Sequence, residues 1–181
     1  MEKHLLAIPN RCTGCNRCVY ACAAAKEGVF MPSKARIRIS NFPLEGYSVP
    51  NICFHCPNPD CLKACPQEAI FQNERGVVVI EARKCDGCGD CVAACPYGMI
   101  EQYGSGKAFK CDLCGGNPAC VSECNFGALI FKEPDTVSRK LRAIQMKQRS
   151  EDGLPEEKRH RLALNILKDA ARVPRTAGYM G

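Results

Sequence analysis

The chain has 181 residues and a formal net charge of +6, and of its 46% hydrophobic residues 16 are cysteines, which leaves a thin aliphatic core for a conventional domain. No apolar run approaches the ~20 residues of a membrane helix and no secretory signal opens the chain, so the expectation is a protein without membrane insertion in a reducing, cytoplasmic setting. There, this many cysteines bind metal more often than they pair. The charge does not mark a nucleic-acid binder either: the excess sits in residues 135–181, with 11 Lys/Arg against 6 Asp/Glu.

In chain order, His4 to Ile8 predicts a short strand, and Arg11 leads into motif I, Cys12, Cys15, Cys18 and Cys22, spaced C-x2-C-x2-C-x3-C. Val19 to Lys26 suits a short alanine-rich helix, and the alternation in Arg36-Ile37-Arg38-Ile39 predicts a half-buried strand. Pro43, Gly46 and Pro50 are expected to break the chain beyond that strand. Motif II is Cys53, Cys56, Cys61 and Cys65 followed by Pro66, with two extra residues in its middle spacing that read as a turn at the loop tip. Ala69 to Phe71, the turn Asn73-Glu74-Arg75-Gly76 and Val77 to Ile80 predict a hairpin.

Motif III, Cys85, Cys88, Cys91 and Cys95 with Pro96, is the compact C-x2-C-x2-C-x3-C-P run. A second hairpin is expected after it, from Met99 to Glu101 through Gly104-Ser105-Gly106 to Lys107–Phe109. Motif IV is Cys111, Cys114, Cys120 and Cys124, again with an expanded middle spacing, and Ala128 to Phe131 predicts a strand able to pair with Leu5–Ile8. Each unit thus repeats strand, cysteine loop, short helix and strand. Pairing of the first and last strands would put motifs I and IV in one lobe and nest II and III in another. From Thr136 the character changes to two helices. The first, Val137 to Arg149, is capped by Asp135 or Thr136; the second, Glu156 to Arg172, carries an apolar stripe of Leu162, Ile166 and Ala170 beside Ala163 and Leu167, and ends at Pro174.

The motif III run is the spacing that holds [4Fe–4S] clusters, three thiolates two residues apart wrapping one cubane while the fourth, before a proline, reaches a neighbouring cluster. Zinc commonly takes two separated CxxC pairs, and four cysteines within eleven residues suit a shared metal centre better than disulfides. Sixteen cysteines divide into four complete sets, so no iron is left open for substrate; this favours electron transfer over catalysis at the clusters. Four oxidised clusters at about −2 each with their thiolates would take the holo-protein to about −2 overall. His4, His55 and His160 are scattered and no nucleophile or phosphate-loop pattern accompanies them. With four cysteines already in motif II, His55 reads as a neighbour that tunes a cluster through a hydrogen bond. Arg11, Lys84 and Lys110 each precede a first ligand and read as solvated strand-end charges, with a raised local potential as the alternative.

The Cys53-Phe54-His55-Cys56 signature, the trailing Cys-Pro of motifs II and III and the expanded second and fourth loops resemble the four-cluster ferredoxin-type subunits of molybdenum and tungsten oxidoreductases. These include the dimethyl sulfoxide reductase and formate dehydrogenase families, with hydrogenase, carbon monoxide dehydrogenase and tungsten aldehyde oxidoreductase partners. The resemblance covers residues 1–134 and implies an α+β fold, tandem bacterial-ferredoxin-like, of two pseudo-symmetric 2[4Fe–4S] lobes, about 1–30 with 105–134 and about 50–104, with a C-terminal helical extension. It implies crossed ligand sets: Cys12, Cys15, Cys18 with Cys124; Cys111, Cys114, Cys120 with Cys22; Cys53, Cys56, Cys61 with Cys95; and Cys85, Cys88, Cys91 with Cys65. The implied role is not an enzyme by itself but a relay of single electrons. One end faces a large catalytic oxidoreductase subunit, a tungsten aldehyde oxidoreductase as first choice, and the other a flavin subunit or ferredoxin. The chain departs from the common core in its basic tail, 135–181, read as a docking or self-association arm or as helices packed on their own domain. A cluster-stapled structural or assembly protein is the competing class.

Overall fold

The computed structural model describes residues 3–103 and 106–172, with the side chains of residues 170–172 left aside. The Gly104-Ser105 part of the expected turn, the side chain of Ala170 and Pro174 therefore lie outside the described residues. Among the described residues, three two-stranded antiparallel ribbons frame the fold. Strand β1 (His4–Ala7) pairs with β6 (Leu129–Lys132), with Leu5 opposite Phe131 and Ala7 opposite Leu129. The strand before motif I and the strand after motif IV are thus joined, as the apolar pattern of both segments predicts. Leu5, Ala7 and Leu129 then share a core with Cys18, Cys22 and Cys120 of motifs I and IV.

The second ribbon corrects the sequence reading. Strand β2 (Arg38–Phe42) continues past Ile39 and pairs with β3 (Tyr47–Asn51), in the stretch where Pro43, Gly46 and Pro50 suggested only breaks. Pro50 sits inside β3 opposite Ile39; a two-stranded ribbon leaves one edge of each strand unpaired, so a residue without an N–H is tolerated there. The third ribbon, β4 (Ile70–Gln72) with β5 (Val78–Ile80), is the hairpin expected after motif II. After motif III, where a hairpin is expected, the described residues form one bridge, Glu101 with Phe109.

The helices that follow the cysteine loops are α1 (Arg17–Glu27), α2 (Asp60–Lys63), α3 (Asp90–Ala94) and α4 (Ala119–Ser122). Helix α1 packs on α4 and α2 on α3, which sets motif I against IV and motif II against III. The core of motifs II and III gathers Cys53, Cys61, Cys91 and Cys95 with Ile70, Val78, Tyr97 and Ile100.

Two longer helices close the chain, α5 (Thr136–Met146) and α6 (Pro155–Arg172). Asp135 caps α5: its carboxylate accepts the Ser138 N–H at 2.7 Å while Ser138 Oγ accepts the Asp135 N–H at 2.9 Å. Helix α5 spans both cores. Gln145 donates to the Ala7 carbonyl, Arg142 to the carbonyls of Phe54 and His55, and Tyr97 Oη donates to the Met146 carbonyl at 2.7 Å. Helix α6 buries Leu162, 2% exposed, in the core of motifs II and III, and Ala163 against Phe42 and Val49. At its first turn Gly98 has φ +63, and a Cβ there would collide with the Pro155 carbonyl, so only glycine lets the two backbones meet.

Leu162→Ala is expected to cost about 2–5 kcal/mol, because a fully buried leucine leaves a cavity. The check is the midpoint of anaerobic chemical denaturation; an unchanged midpoint would show that α6 is held by its polar contacts alone.

Candidate metal centres

Each motif is built the same way. The loop turns through left-handed backbone, at Asn16 and Gly14, at His55, at Gly87 and Gly89, and at Leu113 to Gly116, and then enters a short helix whose second residue is the third cysteine of the motif. Turns of this kind aim successive N–H groups at a common concavity, where they complement negative sulfur. Gly14 is pinned from behind: a Cβ would meet Ser48 Oγ at 2.7 Å and Asn41 Oδ1 at 2.8 Å, so the β2–β3 ribbon forms the backing of the motif I loop.

The cysteines line four cavities. The first is walled by Cys12, Cys15, Cys18 and Cys124. The second is walled by Cys111, Cys114, Cys120 and Cys22, with Cys53 as a further wall residue. The third is walled by Cys53, Cys56, Cys61 and Cys95. The fourth is walled by Cys85, Cys88, Cys91 and Cys65. Every cavity therefore takes three cysteines from one motif and the last cysteine of another. Helix α1 carries Cys18 to the first cavity and Cys22 to the second, one turn and about 6 Å along its axis. Because Cys53 touches both, the second and third cavities are neighbours; α2 and α3 join the third to the fourth. At the two ends of this row, Cys15 and Cys88 are exposed.

Burial pushes several of the thiols away from ionising, and their own neighbours push further. Cys18 rises to about 12 through desolvation and then the charges of Cys12, Cys124 and Cys15. Cys56 and Cys61 also rise to about 12, first through burial and then through Cys53, while Cys91 rises to about 11 through burial and then Cys85 and Cys65. Four thiolates around one cavity are untenable without a multiply charged cation between them. Backbone N–H groups already point at the sulfurs that cross between motifs: Arg36 N–H to Cys22 Sγ at 3.2 Å, Ala69 to Cys65 and Met99 to Cys95, both at 3.3 Å. Among the described residues no three His, Cys, Asp or Glu side chains close tightly enough for a single ion. Four thiols or more on the wall of each cavity fit a polynuclear iron–sulfur core.

The other residues singled out from sequence separate. His4 contacts Arg142, His160 lies 5.3 Å from the Phe42 ring, and only His55 reaches a cavity wall, the third. His55 Nδ1 accepts the Val78 N–H at 3.1 Å, so the neutral ring carries its proton on Nε2, which is buried without a partner among the described residues. Burial, then Lys110 and Arg142, holds its pKa down to about 3. Lys84 is the expected solvated charge, paired with Glu81 at 3.1 Å, and Arg11 lines the first cavity. Lys110 corrects the reading of a solvated strand end: it is 6% exposed, and its ammonium donates to the carbonyls of Val78 and Cys111. Arg142 was not marked by the sequence at all, since nothing distinguishes it from the other basic residues of the tail.

The fold and its cysteine-walled cavities define a ferredoxin-type iron–sulfur protein. Residues 44–134 match the 4Fe-4S dicluster domain family and residues 9–25 a 4Fe-4S binding domain. The chain belongs to the 4Fe-4S dicluster family. It is 42% identical over 125 residues to a protein of Pyrococcus furiosus named as the polyferredoxin-like subunit of an aliphatic sulfonate oxidoreductase, covering 67% of this chain and 70% of that one. To the thiosulfate reductase electron transfer subunit of Salmonella typhi it is 35% identical, over 72% of this chain and 76% of that one. To a tetrathionate reductase subunit of Salmonella typhimurium it is 35% identical over 67% of this chain, and it spans about half of that protein, 54%.

Cys12→Ser and Cys124→Ser are expected to alter one and the same electron paramagnetic resonance signal of the reduced protein, and Cys22→Ser a different one, although Cys22 shares a motif with Cys12. Iron analysis should show the loss of at most about four irons in each variant.

Proposed function

We propose that this chain is a relay of single electrons, the four-cluster subunit of an oxidoreductase whose catalysis resides on another chain. The observation that carries the reading is the row of four cavities, each lined by at least four cysteines, with an exposed cysteine at either end. The ligand sets are Cys12, Cys15, Cys18 and Cys124; Cys22, Cys111, Cys114 and Cys120; Cys53, Cys56, Cys61 and Cys95; and Cys65, Cys85, Cys88 and Cys91. A [4Fe–4S] cluster in each supplies a one-electron couple near low potential. The protein's part is to hold the four in line, donate N–H groups to their sulfurs and leave the ends open to partners.

The names of the relatives support this role: a polyferredoxin-like subunit and an electron transfer subunit, both of multi-subunit oxidoreductases. Residues 1–134 form the relay in two lobes, one for the first and second cavities and one for the third and fourth. The tail is a strap across both, with docking or self-association through its exposed Val137, Ile144 and Leu154 as its second role. A large catalytic subunit with a tungsten or molybdenum pterin centre is the partner at one end, a tungsten aldehyde oxidoreductase by first choice, and a flavin subunit or ferredoxin at the other, in the cytoplasm. No described helix is long and apolar enough to cross a membrane.

Anaerobic purification with companion chains is expected to yield about sixteen irons per copy of this chain, four for each cluster. Tungsten or molybdenum on a large second chain identifies the partner; nickel in their place moves it to hydrogenase or carbon monoxide dehydrogenase, and iron alone makes this a free polyferredoxin. In the isolated complex Cys91→Ser should lower electron throughput at least tenfold while leaving substrate conversion with a dye that accepts electrons at the catalytic subunit. Unchanged throughput would rule out a serial wire.

A further inference from the structure

The four cavities differ in the fixed charge around them. At the first, two arginines line the wall, Arg11 and Arg17; Arg17 is paired with Glu123 at 2.9 Å, and that pair is half-exposed, where water and salt screen it. At the second, Lys26 is paired with Asp112 at 2.6 Å and Arg36 with Glu27 at 2.5 Å. At the fourth the charged side chain on the wall is the carboxylate of Asp86, which accepts the Cys88 N–H at 3.1 Å.

The third is different. Lys110 lines it, is buried, and among the described residues has no carboxylate partner; its ammonium is held by two backbone carbonyls, with a third donor unspent. Asp60, the one acid on that wall, is taken up by Arg149 at 3.0 Å. Val78 fixes the arrangement with both of its backbone groups: the carbonyl holds Lys110 and the N–H holds His55 Nδ1, which leaves the buried Nε2–H of His55 as a second donor on the same wall.

We propose that Lys110, assisted by the Nε2–H of His55, makes the cluster bound by Cys53, Cys56, Cys61 and Cys95 the highest-potential centre of the relay, the site where an electron comes to rest inside the wire. The inference rests on the four-cluster reading above. The step concerned is one electron passing from a neighbouring reduced cluster to this one, the donor core going from 1+ to 2+ and the acceptor core from 2+ to 1+, with no bond made or broken. An unpaired buried cation stabilises that added charge far more than a solvated one, because little dielectric screens it. Lys110 is thus a positioning residue for the electron, acting from outside the ligand set.

The test is a redox titration of the full chain followed by electron paramagnetic resonance, with iron counted in each sample. Lys110→Met, with about sixteen irons retained, is expected to lower the highest of the midpoints at least tenfold in its reduction constant, about 59 mV for one electron, and to leave those of the first and fourth cavities in place. Lys110→Arg should restore it. Independently, Cys56→Ser should remove or shift that same highest-potential signal, an arm that decides the question even if Lys110→Met fails to assemble. The inference is overturned if the highest midpoint stays put in a fully loaded Lys110→Met protein, or if Cys56→Ser leaves the highest-potential signal untouched. Wild-type protein loading far fewer than sixteen irons would instead refute the four-cluster reading itself.

Discussion

Of the sixteen cysteines in this small chain the buried ones, Cys18, Cys61 and Cys91 among them, resist ionisation twice over, by losing water and by facing other thiols, and a multiply charged metal core reverses both effects at once. The lifted pKa values of Cys18, Cys56, Cys61 and Cys91 express the first half of that balance. The second half explains why the rest of the molecule is so spare. Its ribbons are two-stranded, three of its helices are single turns of four or five residues, and its apolar cores are made in part of cysteine itself. Elements this short are marginal alone. They persist because metal–thiolate bonds take over the cross-linking that a larger aliphatic core performs elsewhere.

The exchange of one cysteine between paired motifs turns this local chemistry into a topology. Cys22 leaves motif I for the cavity of motif IV and Cys124 makes the return journey; Cys65 and Cys95 do the same between motifs II and III. Removing one ligand therefore loosens a contact between distant parts of the chain as well as one centre. Cys53, standing between the second and third cavities, ties the two exchanges together and makes the row continuous.

Much of this was legible from spacing, because metal ligation imposes sequence rules stricter than packing does. The four motifs, the β1–β6 closure and the hairpin after motif II all follow from patterns of a few residues. The β2–β3 ribbon was hidden by Pro50, whose cost depends on which strand edge stays unpaired, a fact of tertiary structure. Lys110 was misjudged for a related reason: a lysine beside a ligand is solvated or buried according to what covers it, and Val78, 32 residues earlier, decides that. His55 lies on the wall of the third cavity, beside the motif where its position in the sequence puts it, but its tautomer is set by the same distant residue.

The basic tail, which by composition alone suggests nucleic acid or a docking arm, has a structural explanation in the cluster loops. A loop that turns its N–H groups inward toward sulfur turns its carbonyls outward, and wherever the tail covers those carbonyls they need donors in place of water. Only lysine and arginine bring several donors and no acceptor. Arg142 accordingly meets the carbonyls of Phe54 and His55, Lys158, 2% exposed, meets that of Ala93 at 2.6 Å, and Arg159 meets that of Gly98 at 2.5 Å. Lys158 and Arg159 lie one turn before Leu162 and Ala163 on α6, so that helix supplies both apolar cover for the core and donors for its rim. Part of the tail's positive charge is therefore turned inward, toward the backs of the loops that hold the clusters, and is not available to an external polyanion.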